Sequence, residues 1–389
     1  MYRGHTVGVV VPAYNEEGFV GETIESVPPF VDRVYVVDDG STDGTWQEIR
    51  DTAANANEQW RARVTEPRFA ERVVAIQHGA NRGVGGAIKT GYQRAREDGI
   101  DATAVMGGDG QMRPEALSGL FDPIVEDRAD YVKGNRFLGR TDRGDMPAFR
   151  FVGNAMLGGI TKVASGYWRS GDPQSGYTAI SLRALEETDV DGMYEFYGYC
   201  NDLLVKLNVA GMRVLDVPTP PTYGDEESHI SYSTYVPRVS WMLLRNFLWR
   251  VRTKYLLFDF RPLVVAYLVG VVSVFLGVAE LAWTASNGGN TVPSVGVGAL
   301  LLAIGALALV AAMVLDARAN AHLEGTRADS GDRAGDAQVV RLPRGDWERL
   351  LTQTGEPDPD GGDDVRERVR DQLAREGRRE TTDSSRQDR

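Results

Sequence analysis

The sequence predicts an α/β domain built on a largely parallel sheet, followed by an amphipathic segment and a pair of membrane-spanning helices. Three observations carry this expectation. Up to about Pro221, short valine-rich runs alternate with longer helix-like segments, as successive βαβ units do. Between Pro262 and Leu315, two apolar stretches are each long enough to cross a bilayer, which takes roughly 20 residues. A stretch in which Trp and Tyr are interleaved with Arg lies just before them. The predicted division is a first domain over 1–235, an interfacial segment over 236–261, a two-helix hairpin over 262–316 and a charged tail over 317–389.

The strand candidates in order are Val7–Val11, Val34–Val37, Val73–Ile76, Ala102–Met106, Tyr131–Lys133 and Val214–Val217. Between them, Thr45–Arg63 and Ala87–Glu97 read as helices. A chain of 389 residues has room for one large or two modest domains. Its formal net charge of -12 argues against nucleic acid as the main partner. An acidic surface with far more Arg than Lys fits a salt-adapted cytosol. Cys200 is the sole cysteine, which excludes a disulfide framework and a cysteine-rich metal site. The 4 histidines are scattered without metal-ligand spacing. The opening "MYRGHTVGVV" becomes a strand too soon for a secretory signal, so the first domain is expected in the cytosol.

The two spans are "PLVVAYLVGVVSVFLGVAELAW" and "VPSVGVGALLLAIGALALVAAMVL", joined by the short, uncharged "TASNGGNT". Soluble helices rarely stay apolar on every side for such lengths. Glu280 falls near the end of the first, within reach of the interface. Arg245, Arg250, Arg252, Lys254 and Arg261 precede it, and the positive-inside rule then places both chain ends in the cytosol. In "VSWMLLRNFLWRVRTKYLLF", Trp241, Trp249 and Tyr255 alternate with arginines as in a helix lying among headgroups. The tail from about Ala317 is rich in Asp, Arg, Gly and Ser, a composition expected to be mostly disordered. Short helices are expected around Trp347–Leu351 and Val365–Leu373.

Four strand exits in the first domain end in polar clusters: "PAYNEE" after Val11, "DDGSTD" after Val37, "NRGVGGAIKTGY" after Ile76 and "GGDGQMRP" after Met106. In open α/β sheets this edge is where ligands bind. "DDGS" could be an Asp-Gly hairpin turn, but "TDGTWQEIRDTAANA" follows it as a helix that Ser41 or Thr42 would cap. The glycine run lacks the Gly-Lys-Ser/Thr ending of a phosphate loop, and Ile88 stands where a third dinucleotide-binding glycine belongs. Its glycines fit a tight turn and close backbone approach at a helix start. Asp109 and Gln111 offer two oxygen ligands on one side of an extended segment. Mg²⁺ or Mn²⁺ favours such a pair when a diphosphate supplies the remaining oxygens.

These motifs, with "GNRF" (Gly134–Phe137) and "MPAFR" (Met146–Arg150), stand in the order found in the family 2 glycosyltransferases of GT-A fold. The resemblance covers roughly residues 5–260. "GDPQSGY" (Gly171–Tyr177) resembles the family's acceptor-side motif. "YGYCNDLLVKLNVAG" (Tyr197–Gly211) and "YGDEESHISY" (Tyr223–Tyr232) look similar to archaeal dolichyl-phosphate hexosyltransferases that start N-glycan assembly. The resemblance implies that Pro12, Tyr14 and Glu16 frame the base and ribose of a sugar nucleotide, with Asp38 or Asp39 on the nucleoside. It places Gly85 with the donor-binding residues, Asp109 and Gln111 on an Mg²⁺ or Mn²⁺ ion, and Arg136 on the diphosphate or the acceptor phosphate. Asp202 occupies the position of an acidic acceptor-side residue. It could equally be a solvated or capping carboxylate at a helix start.

The implied reaction is metal-dependent, inverting transfer of a hexose from UDP-glucose or GDP-mannose to dolichyl phosphate at the cytosolic face of the membrane. A lipid monophosphate is largely dianionic near neutral pH, with a second pKa of about 6, and has little need of a general base. One departure stands out. The family usually has an Asp two residues before its metal Asp, and here that residue is Gly107. The alternative reading keeps the transferase and the membrane anchor but assigns a soluble glycan or protein acceptor.

Overall fold

The computed structural model describes residues 1–65, 67–136, 138, 148–172, 175–219, 232–258, 260–286 and 292–325. Phe137, Met146, Pro147, Pro173, Gln174, nearly all of "YGDEESHISY" and both expected tail helices lie outside the described residues.

The chain opens with β1 (Val7–Ala13), α1 (Val20–Ser26), β2 (Arg33–Asp38), α2 (Thr45–Arg63), β3 (Val73–Gln77) and α3 (Val84–Glu97). It continues with β4 (Ala102–Val105), α4 (Leu117–Val125), β5 (Tyr131–Asn135) and α5 (Ala148–Ser165). Next come β6 (Thr178–Ser181), α6 (Leu182–Glu187), α7 (Tyr199–Val209) and β7 (Val214–Pro218). All strands join one seven-stranded sheet in the order β3-β2-β1-β4-β6-β5-β7. β1 pairs in parallel with β2 and β4, and β2 with β3. β6 runs antiparallel to both β4 and β5. Four residues with only Ala179 and Ile180 apolar make β6 a strand that the apolar runs did not reveal.

The valine runs are explained by a sheet covered on both faces, since successive side chains of a strand point to opposite sides. Val7, Val9 and Val11 pack with Ile49 of α2 and Leu120 and Phe121 of α4. Val10 packs on the other face with Ile88 and Tyr92 of α3 and Leu203 of α7. Pro12 is tolerated because it lies beyond the last β1–β4 pair, Val10 with Val105. The ladder bond that a proline cannot donate falls where β4 has ended.

Beyond the sheet, α8 (Tyr232–Arg252) lies against α5 and α7 through Val239, Met242 and Leu243. Its opposite side exposes Trp241, Leu244 and Leu248. A π-helical turn, Thr253–Phe258, leads into α9 (Leu263–Ser286) and then α10 (Val292–Asn320). These are the two apolar helices expected to cross a membrane, and both expose large residues such as Phe275 and Leu307. A Cβ on Gly277 would meet the Gly298 carbonyl and Leu302, so glycine there allows the two helices to pack closely.

Two expectations about the interfacial segment change. Tyr255 does not face headgroups: it is buried and donates to Asp316 Oδ1 at 2.6 Å. Arg250 is also fully buried, with Nη1 and Nη2 donating to the two Asp316 oxygens at 3.0 and 2.9 Å. Lys254 donates to Asn208 Oδ1 and Asn320 Oδ1. A buried charge needs a partner, so these basic residues tie α8 and the π-helical turn to α10 and α7. They are not exposed flanking charges.

Candidate active site

The parallel strands bring the exits of β1, β2, β3 and β4 to one edge of the sheet, and the strand order reverses between β1 and β4. That switch point is where open α/β sheets open a crevice for ligands. The β1 and β2 exits are laced together there. Asn15 adopts a left-handed backbone (φ 56°), a conformation that Asn tolerates better than most residues. Its Oδ1 accepts the Thr42 N–H at 2.9 Å, while its own N–H donates to Ser41 Oγ at 3.0 Å. The Glu16 N–H donates to Thr45 Oγ1 at 2.7 Å. Ser41 and Thr42 therefore do not cap α2 as expected, and Asp43 Oδ1 takes the Thr45 N–H instead. Held this way, Tyr14 stands 44% exposed on the edge, with Glu16 half-buried beside it and Pro12 behind.

Asp38 and Asp39 sit deeper than the resemblance implied, and both are buried. Asp38 accepts from Gln77 Nε2 (3.1 Å) and from the Ser41 N–H (3.2 Å). Asp39 takes the Arg82 and Gly83 N–H groups (2.9 and 2.7 Å) and His78 Nδ1 (2.7 Å). The N–H groups immediately before α3 thus point at a carboxylate of the same chain. The Gly86 N–H adds a bond to the Glu195 carbonyl. Gly85 is corrected in the same way: a Cβ there would lie 2.8 Å from the Glu195 carbonyl and from Tyr199 Cβ. The close approach that needs a glycine is made by the protein's own Tyr194–Tyr199 segment and not by a donor phosphate.

At the β4 exit the chain turns instead of running extended. Gly110 has φ 69°, and Asp109 Oδ1 accepts the Gln111 N–H at 3.0 Å. The Gly108 N–H donates to the Pro12 carbonyl, which fixes this turn to the end of β1. A Cβ on Gly107 would lie 3.0 Å from Asp109 Oδ1, so a carboxylate at that position would stand beside this one. Among the described residues no group of three or more His, Cys, Asp or Glu side chains could hold a metal. One carboxylate and one amide fit a hard divalent cation that draws most of its oxygens from a bound diphosphate.

Arg136 lies just past β5. Its Nε donates to Asp172 Oδ2 at 2.9 Å, with the guanidinium side chain 51% exposed and the Asp172 side chain 4%. Tyr177 Oη donates to the Arg113 carbonyl at 2.6 Å, joining the segment after Asp172 to the loop after Gln111. Asp109, Gln111, Arg136 and Asp172 thus stand on linked loops. Asp172 belongs to "GDPQSGY", and its pairing with Arg136 was not visible in the sequence. Lys133 was missed too, although a lysine inside an apolar strand was a signal. It is buried, with Nζ 2.6 Å from Ser170 Oγ.

Asp202 is corrected as well. It is buried in α7, where one oxygen accepts the Tyr194 N–H at 2.9 Å and the other accepts from Asn246 Nδ2 of α8 at 2.6 Å. Burial raises its pKa above the ordinary carboxylate value. One oxygen ties the loop before α7 to that helix and the other joins α7 to α8, which is a structural task.

The family model for glycosyl transferase family 2 matches residues 8–188. The UDP-N-acetylglucosamine–dolichyl-phosphate N-acetylglucosaminyltransferase of Methanococcus voltae is 30% identical over 216 residues, covering 55% of this chain and 85% of that protein. The undecaprenyl-phosphate mannosyltransferase of Micrococcus luteus is 28% identical over 230 residues, covering 54% of this chain and 80% of that protein. A crystal structure of Mycobacterium tuberculosis glucosyl-3-phosphoglycerate synthase with Mn²⁺, UDP and glucosyl-3-phosphoglycerate aligns at 19% identity and a TM-score of 0.44, covering 64% of this chain and 80% of that one. The sheet and its ligand edge define an α/β transferase of GT-A type, Rossmann-like in its parallel half. The chain belongs to glycosyltransferase family 2.

Proposed function

We propose that the chain transfers a hexose from a nucleoside diphosphate sugar to dolichyl phosphate, with inversion, at the cytosolic face of the membrane. The observation that carries this reading is continuity. The loops bearing Asp109 and Arg136 belong to the same body as α5, α8 and the two apolar helices. α5 and α8 leave an apolar groove of about 540 Å³ that includes Met156, Ile160, Leu244 and Phe247. That gives an isoprenoid tail a place to lie beside the site. Relatives with similar sequences are named for dolichyl or undecaprenyl phosphate. Three basic residues outside the buried cluster, Arg245, Arg252 and Arg261, still favour a cytosolic catalytic domain.

In this reading Tyr14 and Glu16 frame the base and ribose, with Pro12 and Asp38 behind them. Asp109 and Gln111 would hold Mg²⁺ or Mn²⁺, which when bound would supply neutralising positive charge beside the diphosphate. Arg136, oriented by buried Asp172, faces the anionic reactants. The acceptor phosphate oxygen forms the new bond to the anomeric carbon as the bond to the nucleotide diphosphate breaks. The charge-separated transition state resembles an oxocarbenium ion. The dianionic acceptor needs no proton removed, so positioning and charge stabilisation are the protein's main contributions.

The test uses purified protein in detergent with dolichyl phosphate and Mg²⁺ or Mn²⁺. Labelled UDP-glucose, UDP-N-acetylglucosamine and GDP-mannose are offered separately, with Asp109→Ala as control. Label entering the lipid phase from one donor, and lost in the variant, is the expected result. Transfer to water or to a soluble acceptor alone would overturn the lipid assignment.

A further inference from the structure

The end of the second apolar helix makes contacts that anchoring does not require. Past α10, Glu324 pairs with Val214 at the free edge of β7, and the Gly325 N–H donates to the Val214 carbonyl at 3.1 Å. A Cβ on Gly325 would run into the tip of the Leu215 side chain, so a larger residue there would have to displace it. The Glu324 carboxylate is 8% exposed and accepts two successive backbone donors, the Trp168 N–H at 2.8 Å and the Arg169 N–H. Asp316 accepts from the Trp168 indole at 3.4 Å. The next residues are held from the sheet side: Asp216 accepts the Gly171 N–H at 2.6 Å and the Ser170 hydroxyl at 3.3 Å. Lys133 donates to that same hydroxyl. Asp172 follows immediately and pairs with Arg136.

We propose that Glu324, assisted by Asp316, is a positioning residue for the acceptor end of the reaction. It fixes the Trp168–Asp172 segment, and through Asp172 it sets the guanidinium of Arg136. The hairpin is then part of the site as well as its anchor. A charged acceptor of two adjacent N–H groups holds a backbone tightly, and the segment it holds ends on the partner of the exposed arginine. This inference rests on the proposed function only in assigning Arg136 to the acceptor phosphate.

The experiment compares the full-length protein with Glu324→Ala and with the milder Glu324→Gln, all in detergent. Glu324→Gln keeps side-chain volume and one carbonyl acceptor, and it carries the test if the alanine variant fails to fold. The acceptor is a short, water-soluble isoprenyl phosphate, so loss of membrane attachment has no effect on the readout. The expected result is an acceptor KM raised about tenfold in Glu324→Ala and less in Glu324→Gln, the scale of losing a charged hydrogen bond. Turnover at saturating acceptor and affinity for the free nucleotide diphosphate should stay within about twofold. Amide hydrogen exchange should rise at Trp168–Asp172 and remain unchanged in β1, β2 and β4. An unchanged acceptor KM, or an equal fall in turnover for every acceptor, would overturn the proposal. If the unaltered protein used no isoprenyl phosphate, the acceptor reading would fall by itself. Exchange would still decide the positioning claim, and unchanged exchange at Trp168–Asp172 would overturn it.

Discussion

Removing the Asp316 carboxylate should unsettle the protein more than any single loss at the sheet edge. Arg250 and Asp316 are both 0% exposed and pair through two parallel hydrogen bonds. Asp316→Ala leaves a buried guanidinium whose remaining hydrogen-bond partners among the described residues are the Val163 and Ala164 carbonyls and the Tyr255 hydroxyl. Breaking a buried pair from one side costs about 3–5 kcal/mol. The Tyr255 hydroxyl also loses an acceptor, worth about 1 kcal/mol more. Against a total stability of roughly 5–15 kcal/mol, a loss of about 4–6 kcal/mol at about 2–4 °C per kcal/mol should lower the apparent Tm by about 8–24 °C. Replacing both partners by apolar groups should be milder, because no charge is then left without its counterpart. Arg250→Met with Asp316→Leu should therefore recover more than half of the loss. The recovery stays incomplete because the carbonyls at the end of α5 lose their donor. Intrinsic fluorescence melts in detergent at one fixed scan rate would measure both. A fall under about 3 °C for Asp316→Ala, or a double variant as unstable as the two singles added, would refute the reasoning.

Other outcomes follow from the site. Asp109→Ala should lower transfer by at least about a hundredfold while leaving the melt unchanged, since losses of charge stabilisation are of that order; activity assays with melts on the same preparations would check it. Gly107→Asp should be tolerated, because its Cβ would lie 3.0 Å from a single side-chain oxygen and its backbone is not left-handed. The added carboxylate should lower the Mg²⁺ concentration giving half-maximal activity, read from a metal titration. Gly85→Ala should destabilise by about 1–3 kcal/mol through overpacking against Tyr199 and the Glu195 carbonyl, yet leave nucleotide affinity intact in the folded fraction, as calorimetry would show. Asp202→Asn tests the structural assignment through pH. The folded carboxyl pKa is raised by burial, so the native state holds the proton more tightly than the unfolded chain. Stability from this group is present at low pH and is lost as pH climbs through the folded pKa. Melts across pH should therefore show wild type losing ground to Asp202→Asn as pH rises above about 4, and a constant difference would contradict the burial argument.

The parts of this fold that could be read from the sequence are those whose cause is local. Valine runs mark strands because a strand covered on both faces must be apolar at every position, and the β1, β2 and β3 runs are. β6 escaped because Thr178–Ser181 is short, and its place between β4 and β5 is set by pairing with strands 76 and 47 residues back, counted from Thr178 to Ala102 and to Tyr131. No pattern within four residues encodes that. The site divides in the same way. The signal at Asp109 and Gln111 is local, because both side chains and the turn that sets them lie within three residues. Asp39 and Gly85 carried the residue types that donor binding calls for, but their partners are the chain's own backbone, at Gly83 and Glu195. The basic residues before the first apolar helix show the limit most clearly. The positive-inside rule counts charges on the premise that each meets water or headgroups, yet Arg250 meets Asp316, which is 66 positions away and fully buried. A charge count in sequence cannot distinguish a topological signal from half of an ion pair. Here the same residues that suggested an orientation also bind α10 to the catalytic body, which is why the end of that helix can reach the segment that holds Arg136.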